Sequence, residues 1–208
     1  MRRSILPCSA ALITALFSLT LAAQTPTGQK PMTGQPTSAQ KPSAAPKTTQ
    51  VHPGKAGSPH VRTEYMVSEA NISIEYGRPS LKGRTPGKDV DPYDGREWRT
   101  GADEATTLKT DKPLKFGNLS VPAGTYTLYT LPSGGTWQLI LSKKTGQWGI
   151  PYPKGEDLGR VPMMASKTAA PVEQLTISIE PNTAGGHGGG LLKVEWGNTS
   201  ASAPFTVG

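Results

Sequence analysis

The sequence predicts an all-β protein: a single antiparallel β-sandwich, jelly-roll-like, behind a disordered N-terminal linker. Three observations lead to this fold class. Apolar and polar residues alternate with a period of two in several short stretches, which is typical of strands with one buried face. Turn-forming residues separate these stretches. No stretch keeps the helical spacing of apolar residues for about 12 residues without Pro or Gly.

The chain begins with the pattern of a secretory signal peptide, which we assign to residues 1–23. Arg2 and Arg3 supply a cationic start, and residues 10–23 are almost wholly apolar and end in small residues. A spanning helix needs about 20 apolar residues, so we expect cleavage and no membrane span. The mature protein is then periplasmic or secreted. Cys8 is the only cysteine, so the mature chain has no cysteine chemistry.

Residues 24–60 have the composition of a disordered linker. They are rich in Pro, Thr, Ser, Gln and Lys, and they contain no aromatic and no acidic residue. Such a segment cannot bury enough apolar surface to offset its conformational entropy. We expect it either to tether the domain to the cell envelope or a partner, or to act only as a solubilising leader.

The β-sandwich domain is predicted to occupy residues 61–208. Residues 132–135, Pro-Ser-Gly-Gly, have the chemistry of a hairpin turn. The longest interruptions, 77–101 and 143–159, are long enough to be functional loops. Strands are predicted at 62–67, 71–76, 105–110, 113–121, 125–131, 136–142, 160–165, 175–180, 192–196 and 202–207.

The net charge of +7 comes from the N-terminal part of the chain. Seven basic residues and no acidic residue precede Thr63, so the 15 acidic residues of the chain are balanced by as many basic ones in the predicted domain. A neutral domain lacks the electrostatic footprint that a nucleic-acid backbone selects. We therefore exclude nucleic acid as a partner of the domain.

Arginines and aromatic residues are concentrated in "YGRPSLKGR" and "PYDGREWRTGADEATT". A guanidinium pairs bidentately with carboxylates, phosphates or vicinal hydroxyls and stacks on aromatic rings. One interpretation is a cleft for a small acidic or carbohydrate ligand. The other is structural, with the arginines paired to Glu75, Glu97 and Glu104 to pin the loop. The predicted ligand-binding residues are Arg78, Arg84, Tyr93, Trp98, Arg99, Asp103 and Glu104.

The sequence favours a non-enzymatic binding module and no cofactor. The alternatives are a glycosidase or esterase with Glu104 as its catalytic carboxylate, and a purely structural envelope protein. A histidine or cysteine cluster for a transition metal is excluded by count, because His187 is the only histidine in the predicted domain. Calcium is a weaker candidate than a solvated acidic loop. Its ligands would be Asp89, Asp91 and Asp94.

Four motifs together resemble a known family. "YGRPSLKGR", "WRTGADEATT", "VPAGTYTLYTLP" and "WQLILSKKTGQWG" are similar, in this order and spacing, to the secreted bacterial proteins grouped as domain of unknown function 2911. The resemblance covers nearly all of residues 60–200. It implies a β-rich extracytoplasmic domain and no established activity. The family pattern falls on Tyr76, Gly77, Arg78, Pro79, Gly83, Arg84, Pro92, Tyr93, Trp98, Arg99, Gly101, Ala102, Glu104, Ala105 and Thr106, while Asp103 stands where the pattern has asparagine.

Overall fold

Ten strands make up the secondary structure of the computed structural model, which describes residues 45–55, 57–182 and 188–208. No helix occurs in these ranges, and every strand pair is antiparallel. The predicted fold class is confirmed. The strands are β1 (Lys47–His52), β2 (His60–Val67), β3 (Ala70–Gly77), β4 (Ala102–Thr110), β5 (Leu114–Phe116), β6 (Leu119–Val121), β7 (Gly124–Ser133), β8 (Thr136–Ser142), β9 (Asp157–Asn182) and β10 (Gly189–Val207).

The strands form one sheet in the order β1-β2-β3-β4-β7-β8-β9-β10-β5-β6. Residues 157–163 of β9 pair with β8, and residues 164–182 pair with β10. A straight strand of 26 residues would be about 86 Å long at about 3.3 Å per residue, roughly twice the width of a domain of this size. The strand therefore bends and carries the sheet from one layer of the sandwich-like fold into the other.

The strands predicted at 160–165 and 175–180 are parts of the single strand β9 in the structure. Those predicted at 192–196 and 202–207 are both parts of β10. None of residues 164–174 is buried, so this part of β9 has no apolar alternation that would mark it as a strand. It is extended because its backbone pairs with β10, from Met164 opposite Ser202 to Val172 opposite Gly197. Period-two patterns detect buried faces, and this segment has none.

The core lies between the layers and is formed by the alternating residues that the sequence indicated. Along β3 the burial alternates from Ala70 to Tyr76, and the C-terminal part of β9 and the middle of β10 show the same period. Burial of one face fixes the register of each strand, because a shift by one residue would expose its whole apolar set. The largest fully buried side chains include Tyr76, Tyr129, Phe116, Ile72, Ile74, Leu108, Leu128, Leu139, Ile140, Leu141, Leu175 and Ile177.

The predicted hairpin is present between β7 and β8. Ser133 faces Thr136, so the turn consists of Gly134 and Gly135, whose φ angles are +57° and +84°. A two-residue turn with both φ angles positive matches the right-handed twist of its strands and strongly favours glycine. Pro132, expected in the turn, belongs to the end of β7.

A hydroxyl group joins the two layers. The Tyr76 hydroxyl of β3 accepts the backbone N–H of Ile177 in β9 at 2.9 Å, and both residues are buried. The chain after β3 stays beside β9, since Leu175 N–H donates to Pro79 O at 3.0 Å and Leu81 N–H to Glu173 O at 2.8 Å. The "YGRPSL" segment is thus the contact that closes the sandwich at this edge.

The structure corrects the predicted extent of the linker. Residues 47–52, which we expected to be disordered, form β1 at the edge of the sheet, from Lys47 opposite Glu64 to His52 opposite His60. Five of the six residues of β1 are exposed, so the strand leaves no hydrophobic pattern in the sequence. Its order comes from backbone pairing with β2.

The signal peptide assigned to residues 1–23 and the linker up to residue 44 lie outside the described residues. Across the ranges that the structure does describe, no helix has the length and apolar character needed to cross a membrane.

Replacing Tyr76 by Phe should destabilise the domain, because it leaves the buried N–H of Ile177 without its closest acceptor. The expected loss is about 1–3 kcal/mol, or about 2–12 °C in melting temperature for a chain of this size. Thermal denaturation followed by circular dichroism measures it. Tyr126→Phe is the matched control, because its hydroxyl donates to the carbonyl of Pro122, a contact that is only partly buried. Equal losses in the two variants would contradict the role assigned to Tyr76.

Candidate functional site

The long loop, residues 78–101, carries most of the predicted site residues and is fixed at both ends. At its start the Arg78 side chain donates from Nε to Leu175 O and from a terminal nitrogen to Thr176 Oγ1, both at 3.1 Å. At its end Trp98 exchanges two backbone hydrogen bonds with Thr130 of β7, at 2.8 and 2.9 Å. Arg78 is therefore engaged in holding β9.

A small cleft of about 160 Å³ opens between the long loop and the sheet. It brings together three of the predicted ligand-binding residues, Arg84, Trp98 and Arg99. Trp196 of β10 was missed by the sequence analysis, because its place in a period-two run marked it only as a core residue. We call this feature the arginine cleft, and its lining is Pro79, Arg84, Val90, Asp91, Trp98, Arg99, Gly101, Ala102 and Trp196.

Arg99 is a partly buried cation. Its guanidinium donates one hydrogen bond to the carbonyl of Trp148 at 2.8 Å and lies 5.1 Å from the centre of that indole ring. Burial lowers the pKa of Arg99, although Asp103 and Asp91 act in the opposite direction. No carboxylate among the described residues lies within ion-pair distance of it.

Arg84 also binds carbonyls instead of carboxylates. Its Nε donates to Leu81 O at 2.8 Å and a terminal nitrogen to Ser80 O at 2.7 Å. These bonds hold the side chain against its own turn. In the described part of the chain Arg84, like Arg99, forms no ion pair.

The structural alternative, in which these arginines pair with Glu75, Glu97 and Glu104, is wrong, because the three glutamates have other partners. Glu75 pairs with Arg62, with 2.7 Å between Oε2 and Nε, and Glu97 pairs with Arg160 at 3.3 Å. The third acid, Glu104, faces two histidines. The loop is nevertheless pinned by arginines, through backbone carbonyls.

Tyr93 and the acidic segment before it lie beside the cleft and do not line it, apart from Asp91. Arg96 stacks on the Tyr93 ring at 4.5 Å and pairs with Asp91 at 2.7 Å, which balances the only carboxylate in the cleft lining. The Asp91 backbone carbonyl accepts the indole N–H of Trp196 at 2.9 Å. This side of the loop thus forms a wall of the cleft.

The candidate calcium ligands each hold a different group. Asp89 accepts the N–H of Thr85 at 2.8 Å, Asp94 accepts the N–H of Gly134 at 2.9 Å, and Asp91 pairs with Arg96. Within the described ranges these carboxylates do not meet in a group of potential metal ligands. Their contacts are those of turn-forming residues.

A second group of chemistry-bearing residues lies at the N-terminal end of β4, and we call it the histidine cluster: His52, His60 and Glu104. Glu104 Oε2 is 3.5 Å from His52 Nε2 and 3.5 Å from His60 Nδ1. The two imidazole rings are stacked, with centroids 4.6 Å apart and an angle of 14° between their planes. Two histidines and a carboxylate therefore converge on one point.

His60 is the buried member of the cluster, with 2% of its surface exposed. Burial, with the neighbouring His52, lowers its pKa from 6.5 against the opposing effect of the nearby carboxylates, which favours the neutral imidazole. Its Nδ1 is buried and has no hydrogen-bond partner in the structure. Its Nε2 lies 3.7 Å from Oε1 of Glu75.

The exclusion of a histidine metal site by residue count is thus corrected. It assumed that residues up to His60 belong to the linker, whereas β1 and β2 bring His52 and His60 into the sheet as paired residues. Pro53-Gly54 between two histidines is the signal that could have indicated a hairpin here. It was hidden by the polar composition around it.

Asp103 holds the cluster in place and does not line the cleft. Its Oδ2 accepts the N–H of Lys55 at 2.7 Å, which ties the turn after β1 to the start of β4. Asp103 has φ of +61°, and Thr100 nearby has φ of +54°. Positive φ is uncommon outside glycine and is tolerated best by Asn and Asp. The bend they create puts Arg99 towards the cleft, with Glu104 at the cluster.

Gly77 makes this arrangement possible from the side of β3. A Cβ atom at this position would lie 2.2 Å from the carbonyl oxygen of Ala102, a distance that a real side chain cannot occupy. Glycine is used where two backbones approach this closely. The end of β3 can therefore pack directly on the start of β4, next to both the cleft and the cluster.

Comparison with family models gives a match over residues 58–205 to the family described as Protein of unknown function (DUF2911). The chain belongs to this family, as its motifs indicated. Neither the curated proteins nor the solved structures contain a match to the chain. The family assignment therefore supplies no activity, and the chemistry of the site has to be argued from its geometry.

Replacing Asp103 by Ala should destabilise the domain by about 1–2 kcal/mol, because it removes the acceptor of Lys55 N–H and leaves a positive φ on a residue that tolerates it poorly. Asp103→Asn keeps an acceptor and tolerates the same φ, so it should stay close to wild type. Thermal denaturation of the two variants tests this. An Asn variant as unstable as the Ala variant would show that the negative charge, and not the turn geometry, matters.

Proposed function

We propose that this domain is an extracytoplasmic, non-enzymatic binding module for a small acidic ligand, which it holds in the arginine cleft. The observation that carries the proposal is Arg99, a partly buried guanidinium without an ion-pair partner in the described chain. Charges that leave bulk water are normally paired. An acidic ligand would supply the missing partner.

The charges around the cleft favour an anion. Arg84 and Arg99 both line it, and both donate hydrogen bonds to backbone carbonyls. A carbonyl carries no net charge, so the positive charge of each arginine is not neutralised. The one carboxylate in the lining, Asp91, is paired with Arg96. A guanidinium with free N–H groups binds carboxylate or phosphate oxygens through charge-assisted hydrogen bonds.

The size of the cleft limits the ligand. Its volume of about 160 Å³ is below the roughly 300–1,000 Å³ of sites that enclose drug-sized molecules. An acid group with a few attached atoms fits such a space better than an oligosaccharide. A sugar acid is the carbohydrate that suits it, because its carboxylate meets the arginines and its ring can extend towards the surface.

The exposed Trp148 extends the site beyond the cleft. It is 41% exposed, and its ring is flanked by Arg99 and by Lys55, whose Nζ lies 4.8 Å from the ring centre. A large exposed aromatic residue beside two cations is suited to cover the apolar face of a ligand while the cations hold its acid group. Trp148 is not among the ligand-binding residues predicted from the sequence.

Hydrolysis by a carboxylate pair has less support. Asp94 and Glu97 of the long loop could serve as a second carboxylate, but each is held by another group, Gly134 N–H and Arg160. Glu104 itself faces the histidines. We therefore retain the binding module as the proposed function, located outside the cytoplasm on the basis of the predicted signal peptide.

The test compares ligands that differ by one acid group. Galacturonate and phosphate should raise the melting temperature of the protein, whereas galactose should not. At about 100 times its dissociation constant a ligand adds about 2.7 kcal/mol, which corresponds to about 5–11 °C here. Arg99→Gln and Arg84→Gln should lose the shift. Added salt should weaken it, because exposed charges are screened.

Arg62→Gln is the matched control, because this arginine pairs with Glu75 outside the cleft. It should keep the full ligand-induced shift. Each variant is first compared without ligand, so that loss of binding is separated from loss of fold. Failure of every acid to stabilise wild type, or an equal loss of the shift in Arg62→Gln, would overturn the proposal.

A further inference from the structure

We propose that the histidine cluster is a binding site for one divalent transition metal ion, with Zn²⁺ as the ion that fits it best. The ligand atoms are one nitrogen each from His52 and His60 and one carboxylate oxygen of Glu104, and these atoms all lie within 4.8 Å of one another. Two imidazoles and a carboxylate form a ligand set that binds Zn²⁺ and other first-row metals. The site is separate from the arginine cleft.

The separations from Glu104 to the two imidazoles suit the ion. Zinc bonds of about 2.0–2.2 Å in tetrahedral geometry place neighbouring ligand atoms about 3.3–3.6 Å apart. Glu104 Oε2 lies 3.5 Å from His52 Nε2 and 3.5 Å from His60 Nδ1. These separations are long for hydrogen bonds, so the three residues face one another without closing a hydrogen-bonded network of their own.

His60 provides the independent evidence for a ligand. Its side chain is 97% buried, and its Nδ1 has no hydrogen-bond partner although it points towards Glu104. An unpartnered buried nitrogen is costly in a native protein and calls for an explanation. A metal ion bound by its lone pair would satisfy it.

The surroundings of His60 match the outer shell of metal sites. Its other nitrogen lies 3.7 Å from Oε1 of Glu75, and Glu75 is held through its other oxygen by Arg62 at 2.7 Å. Histidine ligands commonly donate their second N–H to a carboxylate, which fixes the tautomer and strengthens the ligand. At 3.7 Å Glu75 acts on His60 as a nearby charge, and it becomes the positioning residue for His60 when this separation shortens to a hydrogen bond on binding of the ion.

His52 has to move when the ion binds. Its ring is stacked on His60, and two parallel rings cannot both contain the ion in their planes. Its Nδ1 also accepts the N–H of Gly54 at 3.1 Å. With 39% of its side chain exposed, His52 is free to turn out of the stack and exchange this bond for the metal.

The proposed site has an open coordination position. Three protein ligands leave a fourth position of a tetrahedral ion for water or a ligand atom, as in catalytic zinc sites and unlike closed structural ones. Glu104 is 48% exposed and His52 is 39% exposed, so this position faces solvent. The ion would therefore be exchangeable and accessible to small molecules.

The test is a titration of ZnCl₂ into the full chain after dialysis against a chelator, followed by isothermal calorimetry, with metal content measured separately. Wild type should bind one Zn²⁺ per chain. His52→Ala, His60→Gln and Glu104→Gln should each weaken binding at least about 10-fold, and Glu75→Gln by about 10–100-fold without changing the stoichiometry.

The matched control is Glu64→Gln, which changes an exposed carboxylate on β2. It should bind Zn²⁺ as wild type does, and so should Arg99→Gln, which separates this site from the arginine cleft. If His60→Gln fails to fold, the variants His52→Ala and Glu104→Gln test the site without it. The proposal is overturned if wild type does not bind Zn²⁺, or if both His52→Ala and Glu104→Gln bind it as wild type does.

Discussion

The contact between residues 76–81 and β9 is the constraint on which the rest of the structure depends. β9 pairs with β8 in one layer and with β10 in the other, so its position fixes both. Tyr76 holds it through the N–H of Ile177, and Arg78 through the carbonyl of Leu175. Because the buried backbone groups of β9 need these partners, the layers cannot separate without leaving polar groups unpaired.

The same contact determines where the functional groups lie. β3 ends at Gly77, which has no side chain, so the backbone at the start of β4 can pack directly against it. Arg99 and Glu104 are five residues apart, yet the positive φ angles of Thr100 and Asp103 between them send them to different neighbourhoods. One reaches Trp148 and the arginine cleft, and the other reaches the two histidines. Backbone strain of this kind is often found at functional sites.

Charge is distributed in a way that net charge does not reveal. Most ion pairs in the described chain lie at the surface, where each contributes little to stability. Arg99 and His60 differ, because both are withdrawn from solvent, Arg99 without a carboxylate at ion-pair distance and His60 with an Nδ1 that has no hydrogen-bond partner. The family assignment gives no activity for these groups. These unpaired groups are therefore the basis of the two proposed sites.

The sequence by itself determined the all-β class, the buried faces of most strands, the hairpin at Gly134 and the family, because these depend on local periodicity, turn chemistry and motifs. It also pointed to Arg84, Trp98 and Arg99, which the fold brings into one cleft. The sequence pattern did not reveal β1, because the side chains of β1 are exposed. His52 and His60 were therefore not recognised as part of the domain. Only the tertiary structure decided that these histidines meet Glu104, because backbone pairing between strands joins residues that no local pattern connects.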